Sequence, residues 1–181
     1  HRDIKPENVL LSTATGRLKI CDFGSAKKIQ SGEKSISYIA SRFYRAPELI
    51  LGCEIYNGAV DVWAAGCVIA EALRMGNPLF VGKSGVEQIK PIVAVIGPPT
   101  QEELDSFPHD NSIKITGEAT TSLEELLPKN VPPELIDLFK KIFVYCPDKR
   151  ITAEEAMKSD YFKDLFNRDR LIPNTDRPIS S

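Results

Sequence analysis

The sequence has 181 residues, which suits one domain large enough to bury an apolar core without disulfides or structural metals. Its 23 Lys and Arg residues are balanced by 25 Asp and Glu residues, giving a formal net charge of -2. Nucleic-acid-binding proteins usually carry a strong basic field, so this balance excludes that class and we expect no nucleic-acid partner.

The cysteines and the apolar runs exclude two further classes, secreted disulfide scaffolds and membrane-spanning proteins. The four cysteines are widely spaced and form no C-x-x-C pair, so we interpret them as reduced thiols of a cytoplasmic or nuclear protein. The longest apolar run, residues 62–70, has nine residues, whereas a membrane span needs roughly 20. We therefore expect no membrane association.

The first predicted elements in chain order are two short strands and one long helix. Residues 9–11 and 18–21 are predicted strands, and the turn at 13–16 joins them into a hairpin. Residues 58–74 are apolar on nearly every side, and a helix of that kind belongs inside a core. We expect this helix to be the central support of the fold.

Later in the chain, capping-box pairs and prolines predict further helices. Pro91 predicts a kink or a restart within the first of them, because proline cannot donate a helical hydrogen bond. Pro133 suits the first position of another helix, which carries an apolar stripe. Residues 167–181 are polar without periodicity and are predicted to form a surface or disordered tail. The capping-box pairs are Ser84 with Glu87, Thr100 with Glu103, Ser122 with Glu125, and Thr152 with Glu155.

Three short motifs carry residues suited to phosphoryl transfer. The run from His1-Arg2-Asp3 to Asn8 comes first, Asp22-Phe23-Gly24 follows, and Ala46-Pro47-Glu48 comes last. Each motif alone is a short match that ordinary turn residues could produce. Their joint occurrence in this order is specific.

The chemistry of phosphoryl transfer explains these residue types. Transfer to a hydroxyl needs a carboxylate at the nucleophile and hard oxygen ligands for metal ions that neutralise phosphate charge. Asp3 would accept or orient the hydroxyl proton, and Lys5 would place positive charge along the transferring group. Asn8 and Asp22 would bind Mg²⁺.

Together these motifs resemble a eukaryotic protein kinase, and the residues between them resemble one branch of that family. Lys5, two residues after Asp3, resembles the residue found at this position in serine/threonine kinases rather than the one found in tyrosine kinases. The stretch 38–48 is similar to the branch that contains cyclin-dependent, mitogen-activated and glycogen synthase kinases. Within that branch, 21–27, Ser41-Arg42 and 84–88 resemble the glycogen synthase kinase 3 family. The implied fold is a mainly α, protein kinase-like C-terminal lobe with a short β-hairpin, and the implied activity is ATP-dependent phosphorylation of serine or threonine in protein substrates.

The resemblance also implies roles for individual residues. Tyr38 matches a phosphorylated tyrosine, whose charge would pair with Arg42 and Arg45. Arg2 and Lys27 match bases that bind a phosphate already present on the substrate. ATP and Mg²⁺ are the implied cofactors. The residues implied to contact the nucleotide and its metal are Lys5, Glu7, Asn8, Cys21 and Asp22, and those implied to support the activation segment are Arg42, Arg45, Glu48, Asp61 and Arg150.

The same resemblance gives the expected organisation of the chain. Residues 1–166 would be the C-terminal lobe, with the catalytic loop at 1–8, the activation segment at 22–48 and a family insert region within 84–131; 167–181 would be the tail. No glycine-rich G-x-G-x-x-G loop occurs in this sequence, so the N-terminal lobe that covers ATP is expected to be missing from it, and the isolated chain to be inactive.

Two other functions compete with the kinase interpretation. A pseudokinase-like interaction module would use the same fold only to bind partners, although pseudokinases usually lose Asp3, Asn8 or Asp22. A different magnesium-dependent enzyme such as a phosphatase would share the carboxylates but has no use for the Ala46-Pro47-Glu48 motif. Lys90-Pro91 interrupts the predicted helix that docks scaffold proteins in animal relatives, so scaffold binding of that type is in doubt.

Overall fold

The computed structural model describes residues 1–166, which are mainly helical with one two-stranded sheet. Strands β1 (Val9–Leu11) and β2 (Leu18–Ile20) pair antiparallel, with Val9 opposite Ile20. This confirms the predicted hairpin and the mainly α fold class. The predicted tail, 167–181, lies outside the described residues.

The described part of the chain contains seven α-helices and five 3-10 turns. The helices are α1 (Pro47–Ile50), α2 (Ala59–Leu73), α3 (Ile89–Ile96), α4 (Gln101–Asp105), α5 (Leu123–Leu126), α6 (Pro133–Ile142) and α7 (Ala153–Met157). The 3-10 turns are Pro6–Asn8, Phe23–Ser25, Arg42–Tyr44, Pro147–Lys149 and Lys163–Phe166.

Helix α2 lies in the middle of the core, as its all-round apolar sequence predicts. Trp63 is fully buried and contacts Phe80 and Phe143, with ring centroids 5.6 Å and 5.1 Å away. Gly66 lets α6 pack closely, because a Cβ at this position would lie 2.6 Å from a methyl carbon of Ile142. Substituting Gly66 would therefore separate the two helices that form the centre of the core.

Three of the four predicted capping boxes are present, at Thr100, Ser122 and Thr152. The prediction at Ser84 was wrong. Its hydroxyl accepts a hydrogen bond from the Glu87 amide, but the Glu87 carboxylate pairs with Lys90 instead of returning to Ser84. The box is therefore half-formed, and α3 begins later, at Ile89.

The predicted kink or restart at Pro91 was also wrong. Because α3 begins at Ile89, Pro91 falls in its first turn, where backbone N–H groups have no partner within the helix. Proline costs little at such a position, and the helix continues to Ile96 without interruption. The sequence argument that this helix is broken therefore fails.

A buried ion pair joins α1 to the turn that precedes α7. Both side chains, Glu48 and Arg150, are completely buried, and two hydrogen bonds of 2.8 Å and 2.9 Å connect them. Arg150 also donates to the carbonyl oxygens of Ala59 and Val144. One guanidinium thus holds together α1, the start of α2 and the loop after α6.

Among residues 1–166, no helix is both long enough and apolar enough to cross a lipid bilayer.

The buried ion pair generates a prediction about stability. In the full-length protein, Glu48→Gln should lower the free energy of unfolding by about 3–5 kcal/mol, because it leaves the charge of Arg150 buried without a partner. Denaturant unfolding measures this loss. The control is Glu102→Gln, which breaks the exposed Lys149–Glu102 pair and should leave the free energy of unfolding nearly unchanged. Equal losses in the two variants would contradict the prediction.

Candidate active site

The backbone that leads to Asp3 is fixed by one carboxylate in the first turn of α2. Asp61 accepts hydrogen bonds from the backbone nitrogens of His1 and Arg2, each at 2.8 Å. Arg2 adopts a left-handed backbone conformation, with φ of 71°. Residues other than glycine adopt this conformation at a cost in free energy. Asp61 thereby stabilises the strained residue that immediately precedes Asp3.

The Asp3 carboxylate is held from two sides. One oxygen accepts hydrogen bonds from the amide and the hydroxyl of Ser41, at 3.1 Å and 3.0 Å. The other oxygen lies 2.8 Å from Nζ of Lys5, which also donates to the Ser41 hydroxyl at 3.3 Å. The catalytic loop and the activation segment therefore meet at this carboxylate, which has a defined orientation.

These contacts favour the charged form of Asp3. Burial raises the pKa of its carboxyl group, but the hydrogen bonds from Lys5 and Ser41 and the charge of Lys5 outweigh that effect and lower the pKa below its usual value. The hydrogen bond with Asp3 in turn raises the pKa of Lys5. An ionised Asp3 is the form that can accept a proton from a substrate hydroxyl.

The two predicted magnesium ligands lie on segments that are hydrogen-bonded to each other. The Asn8 carbonyl accepts from the Cys21 amide at 2.9 Å, which brings the residue before Asp22 against the catalytic loop. The side-chain nitrogen of Asn8 donates to the Asp3 carbonyl at 2.8 Å, so the amide oxygen is the atom left to bind a metal. One oxygen of Asp22 accepts from the Gly24 amide.

This donor set fits a magnesium ion. Mg²⁺ prefers oxygen ligands and commonly takes only one or two from the protein, completing its shell with phosphate and water. Asp22 has a left-handed backbone with φ of 59° and is exposed, so its carboxylate is accessible. Glu7, a predicted nucleotide contact, lies exposed in the 3-10 turn beside Asn8, and Cys21 is partly buried.

The predicted phosphate-binding bases, Arg2 and Lys27, line one pocket of about 400 Å³. Arg2 donates to the Ser25 carbonyl at 2.6 Å and to the Tyr56 hydroxyl at 3.1 Å. Lys27 forms an ion pair of 2.7 Å with Glu33. The pocket is completed by Lys34, Ser35, Ile36 and Glu54.

The predicted phosphotyrosine, Tyr38, is 78% exposed, and its ring lies under the guanidinium of Arg45, 4.5 Å from it. Arg45 is buried and donates to the carbonyl oxygens of Ile39 and Ala40. Arg42 instead donates to the Lys83 carbonyl at 2.9 Å. The structure therefore places Arg45 against Tyr38 and directs Arg42 toward the loop before α3.

Two residues of this site are not among those proposed from the sequence. Ser41 stands out in the sequence only as part of the family resemblance, yet it is hydrogen-bonded to Asp3. Tyr56 lies outside every motif, yet its hydroxyl links Arg2 to the Ile36 carbonyl, to which it donates at 2.9 Å. Local spacing carries no signal for either contact, because each joins segments more than 15 residues apart.

Comparisons with known proteins agree with this geometry. The model of the protein kinase domain matches residues 1–162. Because this match covers most of the chain, the chain belongs to the protein kinase family.

Two curated relatives place the chain within that family. It is 45% identical over 175 residues to "Glycogen synthase kinase 3" of Trypanosoma brucei brucei, an overlap of 96% of this chain and 49% of that protein. It is 42% identical over 182 residues to "Protein kinase gsk3" of Schizosaccharomyces pombe, an overlap of 100% of this chain and 47% of that protein. The resemblance to the glycogen synthase kinase 3 family is confirmed, and the chain spans about half the length of these relatives.

The contacts of Asp3 generate a prediction about pH dependence. Ser41→Ala removes a hydrogen bond that favours the charged carboxylate, so the pKa of Asp3 should rise. In the full-length enzyme, the acidic limb of the pH profile of kcat/KM should then move to higher pH. Ser37→Ala, in the same segment, is the control and should leave the limb in place. An unchanged limb in Ser41→Ala would show that this contact does not set the ionisation of the catalytic carboxylate.

Proposed function

We propose that this chain is the C-terminal lobe of a protein serine/threonine kinase of the glycogen synthase kinase 3 type. The complete enzyme transfers the γ-phosphoryl group of ATP to serine or threonine hydroxyls of protein substrates. The observation that carries this proposal is the Asp3 carboxylate, fixed by Ser41 and paired with Lys5 beside the Asn8 amide. A base, a cation and a metal ligand thus share one site.

Each residue has a defined task in this reaction. Asp3 orients the substrate hydroxyl and accepts its proton as the new O–P bond forms. Lys5, 2.8 Å from Asp3, places positive charge where the transferring group becomes more negative. Asn8 and Asp22 would hold Mg²⁺, which supplies charge neutralisation for the phosphates when bound. The Ser41 hydroxyl is hydrogen-bonded to both Asp3 and Lys5 and so fixes their relative position.

The face of the hairpin supports the proposal that a second lobe covers the nucleotide. Large apolar side chains on and beside it are exposed, which is unusual for a surface that faces water. We assign this face to contact with an N-terminal lobe and, across it, with the adenine of ATP. The side chains on this face, with their exposed fractions, are Leu11 at 62%, Leu18 at 57% and Ile20 at 44%, and Phe23 at 63% follows β2.

The proposed state of the activation segment depends on Tyr38. Its hydroxyl is accessible to phosphorylation, since the side chain is largely exposed. A phosphate on Tyr38 would bring two negative charges close to Arg45, whose guanidinium already contacts the ring. Arg42 would have to leave the Lys83 carbonyl to contribute a second charge.

We place the working enzyme in the cytoplasm and the nucleus.

The proposed substrates carry a phosphate on the C-terminal side of the target residue. The pocket that contains Arg2 and Lys27 supports this choice, because both cations can donate charge-assisted hydrogen bonds to one phosphate. Arg2 is the neighbour of Asp3, so a substrate held by its phosphate would bring another hydroxyl toward the catalytic carboxylate.

Scaffold binding through α3 is compatible with its uninterrupted helix.

The metal assignment generates the first functional prediction. In the full-length enzyme with magnesium, Asp22→Asn should lower kcat by about a thousandfold or more, since loss of a charged metal ligand removes several kcal/mol of transition-state stabilisation. Asn8→Ala should cause a smaller loss. The control is Asp105→Asn, at an exposed position in α4, which should retain the parent rate. Wild-type turnover by Asp22→Asn would refute the assignment.

The phosphate pocket generates the second functional prediction. A peptide with the additional phosphate should be phosphorylated with a kcat/KM about 10- to 100-fold higher than the same peptide without it, as expected for charge-assisted contacts. Arg2→Ala and Lys27→Ala should each reduce this advantage. Lys28→Ala is the matched control, because Lys28 is the next residue in the chain but does not line the pocket. Equal efficiency on both peptides with the parent enzyme would exclude this type of recognition.

A further inference from the structure

Helix α2 carries a buried carboxylate that has no cationic partner. Glu71 is only 8% exposed, and its Oε2 atom accepts a hydrogen bond of 2.7 Å from the Tyr44 hydroxyl. Its other oxygen has no hydrogen-bond or ion-pair partner among residues 1–166. In this part of the chain, the polar side-chain atoms that are both sealed from solvent and unpaired are Nε1 of Trp63, Nε of Arg150 and Oγ of Ser159. The free oxygen of Glu71 is not one of them, so it is open to solvent.

The cations around Glu71 are engaged with other groups. Arg74, at the end of α2, directs its guanidinium to the carbonyl oxygens of Leu126 and of the loop at 77–78. Arg150 is bound to Glu48. A buried carboxylate is usually paired with a cation, because burial without one is costly. The free oxygen of Glu71 can therefore receive a cation from outside the described residues.

A second carboxylate acts on the same tyrosine. Glu7 is exposed in the 3-10 turn Pro6–Asn8, and its side chain has no ion pair or hydrogen bond with any described residue. Burial raises the pKa of Tyr44 well above its ordinary value, and the hydrogen bond with Glu71 and the negative charges of Glu71 and Glu7 raise it further. The fields of both carboxylates thus meet at the Tyr44 hydroxyl.

These carboxylates lie close to the segments that position Asp3. The Tyr44 amide donates to the carbonyl of Ser41, the residue that holds the Asp3 carboxylate. Glu7 belongs to the same catalytic loop as Asp3. Neither carboxylate lines the phosphate pocket, and neither does Tyr44. A substrate whose phosphate fills that pocket on the C-terminal side of the target would therefore present its N-terminal residues to the two carboxylates.

We propose that Glu71 and Glu7 together bind the guanidinium of a substrate arginine on the N-terminal side of the target hydroxyl. The proposal rests on the proposed phosphorylation of protein substrates. Arginine fits because its planar guanidinium can donate to two carboxylates at once and stays charged at physiological pH. Glu71 supplies a partly buried acceptor, where a hydrogen bond is stronger than in water. Glu7 is also a predicted nucleotide contact, but its charge has the same sign as the phosphates of ATP, so a cation is the better partner.

The test compares peptides that differ in a single arginine. Each peptide carries the target serine and the additional phosphate, and arginine replaces alanine at one of the positions before the serine. With the full-length protein, kcat/KM is measured for each peptide, and Kd is measured by fluorescence anisotropy without ATP. The variants are Glu71→Gln, Glu7→Gln and Tyr44→Phe, which removes the hydrogen bond to Glu71 but leaves both carboxylates. Glu134→Gln, which removes an exposed carboxylate in the first turn of α6, is the matched control.

At one position, arginine should raise kcat/KM by about 10- to 100-fold over alanine, as expected for hydrogen bonds between charged groups. This ratio should fall about 10-fold in Glu71→Gln and about 3-fold in Glu7→Gln, because Glu7 is exposed. Tyr44→Phe and Glu134→Gln should retain it. The ratio of Kd values should follow the same order. Because each result is a ratio within one variant, an effect on the basal rate cancels.

The proposal is overturned if arginine gives no advantage at any position, or if both glutamine variants retain the advantage. Equal losses in Tyr44→Phe and Glu71→Gln would also overturn it, since both carboxylates are intact in Tyr44→Phe. If Glu71→Gln does not fold, the exposed Glu7→Gln variant decides. If the full-length protein phosphorylates none of the peptides, the proposed kinase function fails on that result, and the Kd ratios alone decide whether these carboxylates bind arginine.

Discussion

The constraint on which the site depends is the attachment of the catalytic loop to helix α2 through Asp61. Loops that carry catalytic groups need a rigid support, and α2 runs through the core, with Trp63 and Ala70 fully inaccessible. Asp61 extends that rigidity to Arg2, whose left-handed backbone would otherwise relax. The position of Asp3 therefore depends on the packing of α2 in the core, through Asp61. The arrangement places a charged carboxylate at a helix N-terminus, where the helix dipole favours it.

The segment from residue 22 to residue 48 is anchored in its middle and at its C-terminal end. At its end, Glu48 is fixed by Arg150 in the core. In its middle, the amide and hydroxyl of Ser41 hold Asp3, and Arg45 binds two carbonyl oxygens of the preceding turn, where Ala40 has a φ of 63°. A strained alanine persists only where its surroundings hold it. The guanidinium of Arg45 supplies that support, which explains why this segment is ordered while the Tyr38 side chain beside it stays exposed.

Sequence patterns predict the parts of this molecule that depend on local chemistry. The hairpin, the buried helix α2 and three capping boxes follow from residue spacing alone, and the kinase motifs identify Asp3, Asn8 and Asp22 as a set. The start of α3 was not predicted, because the Glu87 carboxylate has two partners within reach and pairs with Lys90. Gln88 is also unexpected, because a polar side chain is fully buried there. Its amide group is hydrogen-bonded to the Phe80 carbonyl and the Gly82 amide of the preceding loop. The contacts of Ser41 and Tyr56 are long-range and have no local signature.

Arg2 belongs both to the backbone that positions Asp3 and to the pocket that we propose to bind phosphate. Its backbone is fixed by Asp61 and its neighbour is the catalytic carboxylate, while its guanidinium is fixed by the Ser25 carbonyl and the Tyr56 hydroxyl. An anion that binds this guanidinium therefore acts on a side chain whose backbone is shared with the catalytic loop. Because Tyr56 also binds the Ile36 carbonyl, the anion pocket and the activation segment cannot move independently. The hydrogen bonds of Arg2 and Tyr56 therefore join the backbone that positions Asp3 to the pocket that Arg2 and Lys27 line.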